Sequence, residues 1–377
     1  MTNSASSFAL SLVLAVAACS DSTSPSNTVG VDGNSVGTVY TMTNATAGNA
    51  VLSFTRSADG SLHSVGSYST GGTGTSAGLG NQGALALDES GTTLLVVNAG
   101  SNQVASFRTS NDGTLTLVGA APSGGVMPIS VTVSHGVAYV LNAGGTGNIA
   151  GFTVSGAGAL APIANSSRPL GSTNAGPAQI SFDPTGARLV VTEKNTNTLT
   201  TYTVDASGVA GTPVTKSASG VTPFGFAFTS SGALVVSEAN GGTPDGSAVS
   251  SYTGGVNGAW TVVSGSVATT ETSACWIAIT TDGKYAYATN AASGTITGFA
   301  INNGALTRLT ADGVTANIGA GSAPADMAIS QNGKFLYANS GGQHSIVAYA
   351  IAADGTLTPT FGGAAGLPAG TNGLVAR

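Results

Sequence analysis

Two acidic residues, Glu193 and Glu238, stand at the same place in a recurring strand pattern, and a basic residue follows the first of them. Each glutamate ends a short apolar run, in the phrases RLVVTE and ALVVSE, and Lys194 follows directly. One carboxylate of such a pair could activate water, while a lysine ammonium could stabilise an oxyanion at an attacked carbonyl group. Carboxylates from adjacent units can also lie close enough to raise the pKa of one of them. A simpler interpretation is that both glutamates only bond turn amides.

The strand ending that carries these glutamates recurs along the chain, which indicates a structural repeat. The polar residue that ends the strand serves as the marker, and it is Asn44, Asn98, Asn142, Glu193, Glu238, Asn290 and Asn339. The markers are about 49 residues apart, a spacing typical of propeller blades. Alternating apolar residues with Gly, Ser and Asn between the runs predict strands and tight turns. Because one such meander cannot bury its apolar faces alone, the units must pack on one another.

Each unit also needs an inner strand before its marker. The candidates are residues 84–88, 129–134, 179–183, 224–229, 276–280 and 326–330. The first unit lacks one, and residues 373–376 at the C-terminus have the pattern of an inner strand. We therefore predict an all-β, seven-bladed β-propeller of four-stranded antiparallel blades over residues 37–377. The C-terminal strand should join the first blade and remove the exposed sheet edge.

The first 19 residues are predicted to be an export signal. An apolar run too short for a stable membrane anchor ends in Val16-Ala17-Ala18-Cys19, which resembles a bacterial lipobox. In that interpretation Cys19 is lipidated, residues 20–36 form a flexible tether, and the protein is exported, either lipid-anchored in the cell envelope or secreted. No Lys or Arg precedes the apolar run, so soluble export and a cytoplasmic location stay open as alternatives.

Composition narrows the possible partners. Charged residues make up 7% of the chain and the net charge is −6, whereas about 25% of residues are charged in an average protein. Without a basic cluster, nucleic acid is excluded as a partner, and contact with a membrane is expected only through a lipid anchor at Cys19. His63, His135 and His344 fall on different predicted blades and cannot converge on a metal ion, so we predict neither a metal site nor a cofactor.

Three phrases carry a family resemblance: DPTGARLVVTE, TDGKYAYATN and SQNGKFLYAN. With AYVLN and YATN they resemble the seven-bladed propeller lactonase family, which includes 6-phosphogluconolactonase-like and YVTN-repeat proteins. The resemblance implies the fold and, for enzymatic members, a His in a Pro-His phrase at the start of an inner strand. Here that phrase is Pro177-Ala178-Gln179, so the family's His is not matched. With few Lys and Arg residues to bind phosphate, a lactone substrate should be unphosphorylated.

The starts of the inner strands should collect at one mouth of the central channel. Gln179, Phe224 and Trp276 are expected to bind substrate there, and Arg168 could swing over the mouth from the preceding loop. Asp326 could act as a base, although an aspartate at such a position more often holds a loop amide. Cys275, beside Trp276, is interpreted as a small buried residue because no neighbouring His would form its thiolate.

Two functions of different class follow from these expectations. The first is a lactone hydrolase at the channel mouth, with Glu193, Glu238, Lys194 and Asp326 as catalytic candidates. The second is a non-catalytic surface module that binds a glycan, a peptide or a protein partner, a role that the low charge and polar uncharged surface suit; the fold alone does not decide between the two functions. In either case a monomer is expected.

Overall fold

Short strands joined by Gly-containing turns make up the regular structure of residues 35–377. This computed structural model describes those residues and residue 1. The predicted export signal, most of the tether and the lipidation site Cys19 lie outside the described residues. The strands form seven antiparallel sheets, the blades of one propeller. The prediction of an all-β, seven-bladed propeller is confirmed.

The strand bounds follow the repeat. Blade 1 contains β1 (Gly37–Met42), β2 (Ala50–Arg56), β3 (Leu62–Ser69) and the last strand of the chain, β30 (Asn372–Ala376). Blade 2 contains β4 (Leu85–Leu87), β5 (Thr93–Asn98), β6 (Gln103–Thr109) and β7 (Leu115–Pro122). Blade 3 contains β8 (Pro128–Ser134), β9 (Val137–Asn142), β10 (Asn148–Val154) and an outer strand in two pieces, β11 (Leu160–Pro162) and β12 (Arg168–Pro169).

The second half of the ring repeats this order. Blade 4 contains β13 (Pro177–Phe182), β14 (Arg188–Glu193), β15 (Thr198–Thr203) and β16 (Val214–Ser217). Blade 5 contains β17 (Pro223–Phe228), β18 (Leu234–Glu238), β19 (Ala248–Gly254) and β20 (Trp260–Ala268). Blade 6 contains β21 (Ala274–Ile279), β22 (Tyr285–Asn290), β23 (Thr295–Asn302) and the split outer strand β24 (Ala305–Arg308) and β25 (Ala316–Asn317). Blade 7 contains β26 (Pro324–Ile329), β27 (Phe335–Ser340), β28 (Ser345–Ile351) and β29 (Leu357–Ala365).

Ring closure joins the two ends of the propeller in one sheet. β30 pairs antiparallel with β1, with Val39 opposite Ala376 and Tyr40 opposite Val375. The C-terminal strand thus supplies the inner strand that the first blade lacks, as predicted. Successive inner strands contact one another around the whole ring, so the ring is complete and has a central axis.

Buried tyrosines on the second strands tie neighbouring blades together. The hydroxyl of Tyr139 donates to Gly208 O at 2.7 Å, and that of Tyr287 donates to Gly355 O at 2.8 Å. Tyr337 makes the corresponding bond across the closure, to Gly60 O at 2.7 Å. These hydroxyls are buried with their rings, so each needs such a partner.

Three short 3-10 helices complete the described secondary structure, at Asn240–Gly242, Val256–Gly258 and Gly341–Gln343. In this part of the chain, no helix has the length and apolar character needed to cross a membrane.

Candidate functional site

The inner strands of blades 3 to 7 all begin with the same backbone distortion. The residue before each strand is left-handed, with φ between 43° and 61° at Met127, Gly176, Thr222, Ser273 and Ala323. A break in register with the second strand follows in all five blades. Left-handed residues other than glycine and β-bulges both concentrate at functional sites. This end of the axis, here called the axial mouth, is therefore the region of the candidate site.

Glu193 ends β14 beside the axial mouth but is fully buried, with 0% of its surface exposed. Its Oε1 accepts from Gly171 N at 2.7 Å and from Thr200 Oγ1 at 2.6 Å. Its Oε2 accepts from the hydroxyls of Thr196 and Thr198 at 3.1 and 3.2 Å. Both oxygens are thus occupied by groups of its own blade and of the loop before it.

Glu238 repeats this arrangement in blade 5. Its Oε1 accepts from Gly220 N at 2.8 Å and from Ser250 Oγ at 2.5 Å, and its Oε2 accepts from Ser266 Oγ at 2.7 Å. The two carboxylates lie in separate turns and share no partner. The structure therefore does not bring Glu193 and Glu238 together as a pair, and their contacts are those of the simpler interpretation, in which they bond turn groups.

The marker position in blade 7 differs by one residue from the sequence-based assignment. Ser340, and not Asn339, pairs with Pro324 at the start of the inner strand, as Glu193 pairs with Pro177 in blade 4. The Ser340 hydroxyl donates to Ser322 O at 3.1 Å. The residue at the marker position, whether charged or neutral, thus bonds a backbone group of the adjoining turn.

The segment between blades 1 and 2 crosses the axial mouth. Residues 79–83, here called the axial segment, precede the inner strand of blade 2. Gln82 N donates to Ala178 O of blade 4 at 3.1 Å. The Gln82 side chain reaches blade 6, where Nε2 donates to Ile277 O at 2.7 Å and Oε1 accepts from Ile277 N at 3.0 Å. Because blades 4 and 6 lie on different parts of the ring from blade 2, the segment must span the axis.

Gln179 and Asp326 serve as clamps between inner strands. Gln179 is 7% exposed, and its side-chain amide bonds both backbone groups of Phe226 in the next blade. Its Nε2 donates to Phe226 O at 2.9 Å, and its Oε1 accepts from Phe226 N at 2.7 Å. Asp326 is 3% exposed, and its Oδ2 accepts from Gly83 N at 3.1 Å. Burial raises the pKa of the Asp326 carboxyl to about 7, although backbone N–H groups including that of Leu374 act in the opposite direction. Both side chains are occupied by backbone partners.

Lys194 reaches the axial mouth with part of its surface open. Its Nζ donates to Gly80 O of the axial segment at 2.6 Å and to Pro177 O at 2.9 Å. It also lies 5.0 Å from the centroid of the Phe224 ring. Burial lowers the pKa of the Lys194 ammonium to about 8. An amine with two N–H groups bound in this way keeps its third position for another partner.

An aromatic floor, formed by Phe224 and Trp276, lies beside this amine. The centroids of the two rings are 5.2 Å apart, and the interplanar angle is 60°. Trp276 Nε1 donates to Asn81 O of the axial segment at 2.7 Å. Cys275 is buried against this floor, and burial raises the pKa of its thiol to about 12, so the protonated thiol is the form present near neutral pH. The expected grouping of Lys194, Phe224 and Trp276 is present at one mouth.

Arg168 lies away from the axial mouth. It belongs to β12, in the outer strand of blade 3, opposite Ile149. Its guanidinium donates to the carbonyls of Asn165 at 2.7 Å, Ser167 at 2.8 Å and Gly211 at 3.1 Å. It lines a cavity of about 580 Å³ at the outer edge between blades 2 and 3. The split outer strand holds the arginine there, so it does not swing over the mouth.

Among the described residues, no group of three His, Cys, Asp or Glu side chains is placed to hold a metal ion.

The site groups that the sequence did not predict are two backbone carbonyls, those of Gly80 and Asn81, which hold Lys194 and Trp276. The bond of Gln82 across the axis was not predicted either. The feature of the sequence that could have pointed to this segment is the polar pair Asn81-Gln82 between two glycines.

The sequence of the chain matches one known protein family. The model of the family described as "Lactonase, 7-bladed beta-propeller" matches residues 35–167 and 72–361. The comparison with curated proteins found no match.

Solved structures with the same fold include several from bacteria. A candidate 6-phosphogluconolactonase from Bacteroides uniformis superposes with a TM-score of 0.72 at 18% identity, covering 91% of this chain and 100% of that one. The periplasmic gluconolactonase of Pseudomonas aeruginosa superposes with a TM-score of 0.71 at 16% identity, covering 90% of this chain and 98% of that one. At these identities the superpositions show a shared fold. With the family model spanning most of the propeller, the chain belongs to the seven-bladed β-propeller lactonase family.

Proposed function

We propose that this protein hydrolyses a neutral, unphosphorylated lactone at the axial mouth, with Lys194 as the catalytic group. The observation that carries the proposal is the amine of the partly exposed Lys194 side chain, which two carbonyls hold beside the Phe224 ring. A lysine with a pKa near 8 is present in part as the free amine at mildly alkaline pH, as a general base requires. Family membership supports the same reaction class.

The reaction is written for the neutral amine. Lys194 Nζ keeps its two N–H bonds to Gly80 O and Pro177 O and directs its lone pair to a water molecule. As the water oxygen bonds to the lactone carbonyl carbon, its proton passes to Nζ. The ring C–O bond then breaks, and the ammonium returns a proton to the leaving alkoxide. One water is consumed, and the product is the open hydroxy acid.

The choice of substrate class rests on charge and surface. Phe224 and Trp276 offer ring faces on which an uncharged sugar or alkyl lactone can lie. Lys194 already donates two bonds to carbonyl groups, so it is poorly placed to bind a phosphate, which prefers several strong donors. Neutral lactones are therefore the proposed substrates.

The test is acid release from a panel of lactones, measured by pH-stat. The panel contains gluconolactone, a simple alkyl lactone and 6-phosphogluconolactone. We expect the neutral lactones to be turned over by the wild type, and Lys194→Met to lose at least about 100-fold in kcat. Lys216→Met is the matched control, because Lys216 lies on the outer strand of the same blade. Equal rates for Lys194→Met and wild type would overturn the role of Lys194. No turnover of any lactone would favour a binding module instead.

We infer from the sequence that the chain is exported and lipid-anchored through Cys19. The support is the Val16-Ala17-Ala18-Cys19 phrase after an apolar run. Fatty-acid labelling of the full chain in a bacterial host tests the inference: wild type should incorporate label and Cys19→Ala should not. Label in both proteins, or in neither, would contradict it.

A further inference from the structure

In the inner strands of blades 4 and 5, a backbone N–H donates a hydrogen bond to a side chain of the preceding blade. Ser130 Oγ of blade 3 accepts from Ile180 N at 3.2 Å, and Gln179 Oε1 of blade 4 accepts from Phe226 N at 2.7 Å. These bonds keep buried backbone groups paired, which removes a cost of about 1–3 kcal/mol for each group left unpaired.

Blade 5 has no side chain that could accept the corresponding hydrogen bond from Ile277 N of blade 6. Its corresponding residue is Gly225, directly before Phe226, as Gln179 is directly before Ile180. The amide of Gln82 comes from the axial segment and bonds both backbone groups of Ile277 in blade 6. A side chain at position 225 would overlap with Gln82 Oε1, so the glycine leaves the space that Gln82 fills.

The same anchor fixes the candidate site. Two residues before Gln82, the Gly80 carbonyl accepts from Lys194 Nζ at 2.6 Å. One residue before it, the Asn81 carbonyl accepts from Trp276 Nε1 at 2.7 Å. One residue after it, Gly83 N donates to Asp326. The short span between these contacts leaves the segment little freedom while Gln82 is bound.

We propose that Gln82 is a positioning residue, which holds the axial segment across the mouth so that its carbonyls fix the Lys194 amine and the Trp276 indole. The proposal rests on the role given to Lys194 above. Without the amide at position 82, both backbone groups of Ile277 lose their partner, and the indole of Trp276 alone still bonds the axial segment to blade 6. Lys194 then becomes more hydrated than in the wild type, and the amine moves from its place over Phe224.

The experiment reads the environment of Lys194 directly, without a substrate. Trace acetylation with acetic anhydride over pH 6–11, followed by mass spectrometry of the digest, gives the titration of each lysine in the folded chain. Lys216, Lys284 and Lys334 are internal references in the same sample. We expect Gln82→Ala to shift the Lys194 titration upward by at least about one pH unit, because restored hydration favours the charged form. The references should not move.

A second variant keeps the test decisive if Gln82→Ala does not fold. Gln82→Asn keeps an amide on a shorter arm, and its shift is expected to be smaller and in the same direction. A folded variant with an unchanged Lys194 titration would overturn the proposal. Where a lactone is turned over, kcat should also fall by about tenfold or more, because small displacements of a reacting group are costly.

The outcomes separate this proposal from the proposed function. If the Lys194 titration shifts in the variant but no lactone is hydrolysed by the wild type, Gln82 positions the amine and the hydrolase proposal fails. If hydrolysis depends on Lys194 but neither the titration nor kcat responds to Gln82→Ala, the positioning proposal alone fails.

Discussion

Glu193 and Lys194 are adjacent in sequence, yet their side chains have opposite surroundings. The glutamate turns into its own blade, where four donors occupy its oxygens. The lysine turns to the axis, where it bonds two carbonyls and keeps part of its surface open. The comparison shows that residue type alone does not tell which side chain stays open to a ligand; the number of unoccupied hydrogen-bonding positions does.

Removing the charge of the buried glutamates is the first way to test this comparison. Glu193→Gln and Glu238→Gln should each lower the free energy of unfolding by about 1–3 kcal/mol, because the amide cannot accept every bond that the carboxylate accepts. Lactone turnover per folded molecule should stay within about twofold of wild type, since neither carboxylate faces the mouth. Denaturant unfolding and pH-stat rates measure the two effects. A large loss of kcat in a variant of normal stability would show that the glutamates take part in catalysis.

The pH dependence of stability tests the second clamp, Asp326. Its pKa of about 7 lies above the value of about 4 for an unfolded chain, so between these pH values the folded protein binds more protons than the unfolded one. Stability from this group is therefore fully present below about pH 4 and is lost as pH rises to about 7. Relative to wild type, Asp326→Asn should gain about 2–4 kcal/mol between pH 4.5 and pH 8.

The control for that experiment is Asp282→Asn. Asp282 lies in an exposed turn, and its hydrogen bond from Thr280 holds the pKa of its carboxyl below the usual value. Its contribution changes only in acid, so the difference between this variant and wild type should be flat from pH 5 to pH 8. Urea unfolding at several pH values measures both. A flat difference for Asp326→Asn as well would show that Asp326 is ionised throughout.

The smallest effect is expected at Arg168. Because it lies on the outer strand of blade 3, Arg168→Ala should change kcat and KM by less than about twofold. It should still cost some stability, because its guanidinium holds three loop carbonyls. A selective rise in KM would show that the arginine reaches substrate after all.

The fold was predictable because its signals are local and repeated. Each alternating strand and turn is encoded within a few residues, and the absence of an inner strand before Asn44 left the C-terminal residues 373–376 as the natural partner. The family resemblance carried by the TDGKYAYATN-type phrases is likewise a property of the scaffold, and it is confirmed.

The site was only partly predictable, since its geometry depends on non-local packing. A β-bulge at Pro177 and Gln179 changes which way the side chains beside it point, and the sequence does not reveal this. The path of the axial segment depends on Gly225, which is far from Gln82 in sequence and leaves room for it. Phe224, Trp276 and Lys194 lie together because the repeat register places them at one mouth.

The most direct test of the account is the pH dependence of kcat for a neutral lactone, corrected for the spontaneous rate. If the free Lys194 amine is the base, kcat should rise with pH, reach half its maximum near pH 8 and then level off. This step should be absent in Lys194→Met and present in Lys216→Met. A rate that falls above pH 8, or a step that survives in Lys194→Met, would contradict the account.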